Sequence, residues 1–457
     1  MDIDEKIYIS NGFRILGLDI TSKNNKIKNR LSKVDAYRNR KNYDDSKPLE
    51  GVFDKSNINL LLPVDPSPSY IDFQNAKNRL NNVRIRLIDE ILWFWPKSLD
   101  IALEQEVVDY LKDKNYDGAI SYWNTQSMTD SLNTTSIHNL AILHHSKSLD
   151  LFINENSSEF LNDLELGLNY WADTLNSNNF KNFVKKRVNS LNDPRLTEDY
   201  VDTLFKELPY DLLNINLILI KKMLNTYEVS NQQVNKINNT IKIIQYSSFS
   251  EDIITNINSK ILEYIDSLIK KYKDSFESDF TYSSDEKLKE LFELRENLFP
   301  LFSILKTSYN GNSVSENIRN NNCLFILNKM ITLLDLEQSG INNINIVLND
   351  ETKINQAQDI LNLIVDYSIS EDIQSKAESL YTIITLNGVL QDLDTSQNEV
   401  QIENSFKELG IPYTDKPDNN VNNDEFEAGV IYLANFIKLV GWILILSFAY
   451  FVYCTWM

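Results

Sequence analysis

The sequence has little of what commonly breaks, cross-links or catalyses. Its 457 residues hold 11 glycines, 10 prolines, two cysteines and three histidines. So few breakers leave long helices with polar connections as the expected architecture. Cys323 and Cys454 are too few for a disulfide framework or a zinc site, and they suit a reducing compartment. Phosphate-binding and dinucleotide glycine loops, a metalloprotease helix, a nucleophile elbow and a calcium loop are all missing. The acidic pairs Asp89/Glu90 and Glu251/Asp252 read as ordinary solvated charges. Cys323, inside the apolar run CLFIL, reads as a small core residue rather than a nucleophile. The chain is therefore read as no enzyme, with no catalytic residue and no cofactor.

An excess of positive charge is also lacking. The net charge of −20 argues against nucleic acid as the main partner. That charge is unevenly placed: residues 1–100 carry 17 Lys and Arg against 14 Asp and Glu, a net of +3, which leaves −23 for the rest. A mildly basic head on a strongly acidic body suggests separate domains.

The three histidines are His138, His144 and His145. The outer two lie two helical turns apart, roughly 10 Å along the axis, too far for one ion on a straight helix. Adjacent His144 and His145 point about 100° apart. With no Cys or Glu nearby to complete a set, packing or capping roles are expected, and no metal.

What the sequence does have is one long apolar stretch. LVGWILILSFAYFVYCTWM, Leu439 to Met457, runs nineteen residues without a charged side chain, and Lys438 is the only ionic residue after Gly429. A helix of that length spans roughly 28 Å, close to the hydrocarbon thickness of a bilayer. Lys438 would snorkel at one face, with Trp442, Tyr450, Tyr453 and Trp456 at the interfaces. A single C-terminal transmembrane anchor over 429–457 is expected. The opening residues MDIDEKIYISNGF show neither a basic nor an apolar signal region, and with such an anchor the bulk of the chain is expected on the cytoplasmic side.

Near the start, FRILGL is a short apolar turn leading through a polar break to a helix. The apolar stripe of that helix is Ile27, Leu31 and Val34. The rest is crowded with Lys23, Lys26, Lys28, Arg30, Lys33, Arg38, Arg40 and Lys41, against Asp35 alone. A Pro- and Asp-rich loop from Asn42 to Ser69 follows. Then comes one helix from Tyr70 to about Phe94, striped by Phe73, Ala76, Leu80, Val83, Leu87, Ile91 and Phe94 and ended by Pro96.

This arrangement resembles a J domain, the module by which DnaJ-type co-chaperones engage a DnaK-type ATPase. FRILGL is similar to the first-helix motif, the basic helix to the second helix, and AKNRLNNVRIRLIDE to the third. The ending ILWFWP resembles bacterial J-like proteins in which a degenerate J region precedes helical repeats. The family's His-Pro-Asp tripeptide is missing: the loop offers Pro63-Val-Asp65 and no histidine. The resemblance implies docking of a protein partner through the basic helix, with Lys26, Arg30, Lys33, Arg38 and Arg40 as the binding residues.

Gly118-Ala-Ile-Ser-Tyr-Trp123 recurs 48 residues later as Leu166-Gly-Leu-Asn-Tyr-Trp171, with SIHNLAILHHSKSLDLF between them as partner helix. This resembles tetratricopeptide-like hairpins, at a period longer than their usual 34. Farther on, stripes such as Val234/Ile237/Ile241/Ile244 and Ile254/Ile257/Ile261/Ile265/Leu268 alternate with polar joints, and Pro194, Pro209, Pro300, Gly311 and Gly340 mark breaks. The run INLILI, Ile215 to Ile220, reads as helix rather than strand. Residues from Ser396 to about Gly410 read as a last helix.

The expected fold is all-α. A J-like head spans 1–97, a helical-repeat body 98–410, a polar acidic linker 411–428 and the anchor 429–457. Two functions follow from this organisation. One is a tail-anchored helical scaffold holding protein partners at a membrane. The other is a membrane-bound DnaJ-type co-chaperone acting on a DnaK-type ATPase without the tripeptide, and the missing histidine favours the scaffold.

Overall fold

The computed structural model describes residues 4–41, 44–49, 62–129, 134–154, 159–225, 229–277, 284–334, 348, 351–390, 404–405 and 407–409. Among them the chain is all-α, with no strand and one isolated bridge between Pro48 and Ser69. None of the described helices is long and apolar enough to cross a membrane. The linker, the stretch 429–457, Gly340 and most of the 396–410 segment lie outside the described residues.

Contacts divide the chain into two compact units, Met1–Tyr264 and Ile265–Met457. The first holds α1 (Gly12–Leu16), α2 (Asn24–Lys41), α3 (Tyr70–Asn81), α4 (Val83–Ile91), α5 (Gln105–Lys112) and α6 (Tyr116–Thr129). It continues with α7 (Thr134–Asn154), α8 (Phe160–Asn176), α9 (Asn178–Leu191), α10 (Glu198–Leu224) and α11 (Asn231–Tyr246). The division falls inside α12 (Glu251–Glu277).

Local chemistry sets the helix ends. FRILGL becomes one turn, α1, because Asn11 caps its start and Gly17 takes the left-handed conformation (φ 59°) at its end. The single helix expected over 70–94 is two. Asn82 turns out of the helix, and its side chain accepts from the amides of Arg84 and Ile85, starting α4 afresh. The apolar stripe survives the break, with Phe73, Ala76, Leu80, Leu87 and Ile91 all buried. The chain then leaves the helix at Leu92, so Trp93, Phe94 and Trp95 enter the core from a non-helical segment.

Pro209 and Pro300, expected as breaks, lie inside α10 and α13 (Ser284–Ser308). A proline removes one helical hydrogen bond, and tertiary packing offsets that loss. Leu208, Leu212 and Leu213 beside Pro209, and Leu298, Phe299, Leu301 and Phe302 around Pro300, are buried. INLILI is helical within α10, with Ile215, Leu217, Leu219 and Ile220 in the core.

The echoed segments lie on α6 and α8, and both helices pack against α7. Trp123 and Trp171 are buried, while Tyr122 and Tyr170 are half-buried. Gly167 lets α8 approach α7 closely: a Cβ there would sit 2.7 Å from the backbone nitrogen of His145.

In the second unit α13 and α14 (Ser313–Leu333) pack with α15 (Glu351–Tyr367) and α16 (Glu371–Leu390). Its core includes Leu298 and Phe302 from α13, Ile326 and Met330 from α14, Ile360 and Ile364 from α15, and Ile383 from α16. Cys323 is buried there, and burial pushes its thiol up to about 12, away from the thiolate form.

Candidate functional site

The stripe Ile27, Leu31 and Val34 folds inward and turns the basic side of α2 outward. Lys23, Lys28 and Lys33 are exposed and pair with no acid among the described residues. Lys26, Arg30 and Arg38 have local partners. Lys26 reaches Asp19 at 3.0 Å across solvent. Arg30, half-buried, donates to the carbonyl of Gly17 at 3.3 Å, placing a cation at the C-terminal end of α1. Arg38 grips Asp45 with two nitrogens at 2.6 and 2.7 Å and lies over the Tyr70 ring. That carboxylate holds its guanidinium above the ordinary value. The side chain of Arg40 lies outside the described residues. Of Lys26, Arg30, Lys33 and Arg38, whose side chains are described, Lys33 alone has no partner among the described residues.

The interior of the same unit is more unusual than its surface. Asp89 and Glu90, expected in solvent, are both buried. Asp89 accepts from Arg79 at 2.6 and 3.1 Å and from the amide of Gly12 at 3.1 Å. Glu90 accepts from Arg86 at 3.0 Å and from Arg187 of α9 at 2.8 Å on each oxygen. Buried carboxylates persist only when paired in this way. Burial still pushes the Asp89 carboxyl above the usual range, against the pull of Arg79.

Five further links tie residues 4–97 to residues 98–264. Arg14 is buried, holds the carbonyls of Leu62 and Pro63 at 3.2 and 2.9 Å, and pairs with Asp150 of α7. Asn139 of α7 clamps the backbone of Trp95, donating to its oxygen and accepting from its nitrogen at 2.8 Å each. Lys222 pairs with Glu5. Trp171 donates to the Tyr8 hydroxyl at 3.0 Å, and that hydroxyl lies 3.0 Å from His145 Nδ1. His138 Nε2 lies 2.6 Å from the carbonyl of Ile91, and its ring stacks on Phe180.

The histidines are thus set apart, each on its own partner. Burial lowers His138 to about 4 and His145 to about 3. His144, also buried, lies 2.8 Å from Asp163, which Lys147 also contacts at 2.9 Å. Among the described residues no group of three His, Cys, Asp or Glu is disposed to hold a metal ion.

The reading of Asp89 and Glu90 as solvated charges is overturned by their burial, and Arg187, the partner of Glu90, like Arg14, carries no local sequence signal. One signal was available for the first two: the acids sit directly against the run ILWFW, with no polar spacer to carry them to the surface. Searches of family models, curated proteins and solved structures found no match to this chain.

Proposed function

We propose that this protein is a membrane-tethered helical scaffold that binds acidic protein partners through the outer face of α2. The observation that carries this reading is the unpaired, exposed set Lys23, Lys28 and Lys33 on a helix whose apolar side is buried. No apolar side chain competes there, so recognition rests on charge and weakens with salt over ~8–10 Å of screening. Replacing those three lysines with glutamate leaves every pairing within the unit intact, unlike changes at Arg30 or Arg38. Pull-down from detergent-solubilised membranes should lose its salt-sensitive partner in this variant, with the melting temperature unchanged. Retained binding would remove α2 from the interface.

The tether is the apolar stretch 439–457, with Lys438 on the cytoplasmic side by the positive-inside tendency. Leu446→Arg places a charge mid-span at a cost of about 2.5–3.5 kcal/mol on insertion scales. Carbonate extraction should then release a larger soluble fraction. An unchanged membrane fraction would show that another feature holds the protein there.

The second reading, a membrane-bound co-chaperone, draws support from α1 and α2 packing on α3 in the order the J-like resemblance implies. It requires acceleration of a DnaK-type ATPase. The scaffold reading expects none, because the tripeptide is missing.

A further inference from the structure

The second unit contains a charge that the proposed function does not use. Arg319, on α14, is 2% exposed. Its Nη1 donates at 3.2 Å to the carbonyl of Tyr367, the last residue of α15. Its Nε and Nη2 are buried and meet no acceptor among the described residues. Those two N–H groups form one edge of the guanidinium, the edge that holds a carboxylate through two parallel hydrogen bonds.

The cost of that arrangement is not relieved by proton loss, because a guanidinium stays charged. The carbonyl end of α15 supplies partial negative charge, but it faces the Nη1 side alone. The neighbouring acceptor, the Asn320 side chain, is committed elsewhere. Asn320 spends its side-chain oxygen on the Ser368 hydroxyl and the amides of Ile369 and Ser370. No carboxylate among the described residues pairs with Arg319. A buried ion without a counter-charge is strongly destabilising. The chemistry therefore calls for an anion with two acceptor atoms, or one small enough to meet both N–H groups.

We propose that the Nε/Nη2 edge of Arg319 is an internal binding site for a small carboxylate-type anion, which stabilises the packing of α14 against α15. The site is independent of the basic face of α2, which belongs to the other unit.

Cys323 supplies a local reporter. It lies one helical turn beyond Arg319, is buried, and becomes reactive to a thiol reagent only when its surroundings open. The full-length chain in detergent, with Cys454→Ser to remove the second thiol, would be labelled at constant ionic strength while a bulky sulfonate is replaced by sodium formate. At formate about ten times its dissociation constant, labelling of Cys323 should slow roughly tenfold and then saturate. Arg319→Met should abolish the formate dependence. In sulfonate alone it should label no faster than wild type, because the unpaired charge is gone. Arg319→Gln, which keeps a polar group without the charge, should behave likewise if the methionine variant folds poorly.

Indifference of the wild type to formate would overturn the proposal. So would equal slowing in wild type and both variants, which would mark a general salt effect. Faster labelling of the variants in sulfonate, with the wild type indifferent, would show that the charge is compensated from within the chain.

Discussion

Acidification from pH 6.5 to 4.5 should destabilise the first unit by roughly 5 kcal/mol, before most carboxylates have titrated. The cause is the pair of neutral imidazoles. Folded His138 has a pKa of about 4 and folded His145 about 3, against an ordinary value near 6.5. The unfolded chain therefore takes up two protons that the folded chain refuses. Stability is full above pH 6.5 and falls as pH drops, by about 1.4 kcal/mol per pH unit for each histidine. The loss levels off only near the folded values. Asp163 and Glu5, held below their ordinary range despite burial by Lys147 with His144 and by Lys222, add to the loss lower down. Their stabilisation is lost as pH falls through the carboxylate range. Asp89, whose carboxyl is raised, works in the opposite direction there. Guanidinium unfolding at a series of pH values would give the slope. His145→Gln keeps an acceptor near Tyr8 without titrating, so it should halve the slope between pH 6.5 and 4.5. An unchanged slope would mean that His145 is not the buried neutral base described here.

Removing the Glu90 carboxylate should be the most damaging change of a single ionic side chain in the unit. Glu90→Ala leaves Arg86 and Arg187, each 12% exposed, facing one another without their shared anion. Breaking a buried pair from one side typically costs about 3–5 kcal/mol, most of it from the charge left behind. The reverse change, Arg187→Ala, should cost less, since Arg86 still compensates Glu90 at 3.0 Å. Replacing both Glu90 and Arg187 with apolar residues should recover part of the loss, because neither variant then buries an orphan. If Glu90→Ala proves nearly neutral, water reaches this site and the pair is no structural link.

The sequence was most informative where one face alone determines the outcome. Ile27, Leu31 and Val34 form a stripe with a single period, and α2 folds as that period requires. The echo around Trp123 and Trp171 located two helices that bury the same ring, because a small residue followed by an aromatic leaves few alternatives. Ends and breaks were harder to read. Asn82 interrupts a continuous stripe through one side-chain cap, whereas Pro209 fails to interrupt α10 because its leucine neighbours are buried. Both outcomes depend on tertiary context that periodicity does not encode. The same holds for Asp89 and Glu90. Their burial depends on Arg79, ten residues away, and on Arg187, ninety-seven residues away, and no local pattern announces such partners. The basic helix was legible as charge, but which of its cations remain free depends on Asp19, Asp45 and the carbonyl of Gly17.

The links from Glu5, Tyr8, Arg14, Glu90 and Trp95 to α7–α10 imply that residues 4–97 and 98–264 unfold together. The head would then be a fixed part of the first unit, and its deletion would expose the surfaces it covers. Native-state hydrogen exchange on wild type and Glu90→Ala tests this most directly. The structure predicts that amides of α3 and α4 and amides of α7 and α8 lose protection by the same free energy in the variant. Loss confined to α1–α4, with α7 and α8 as protected as in wild type, would contradict it and make the head an independent module.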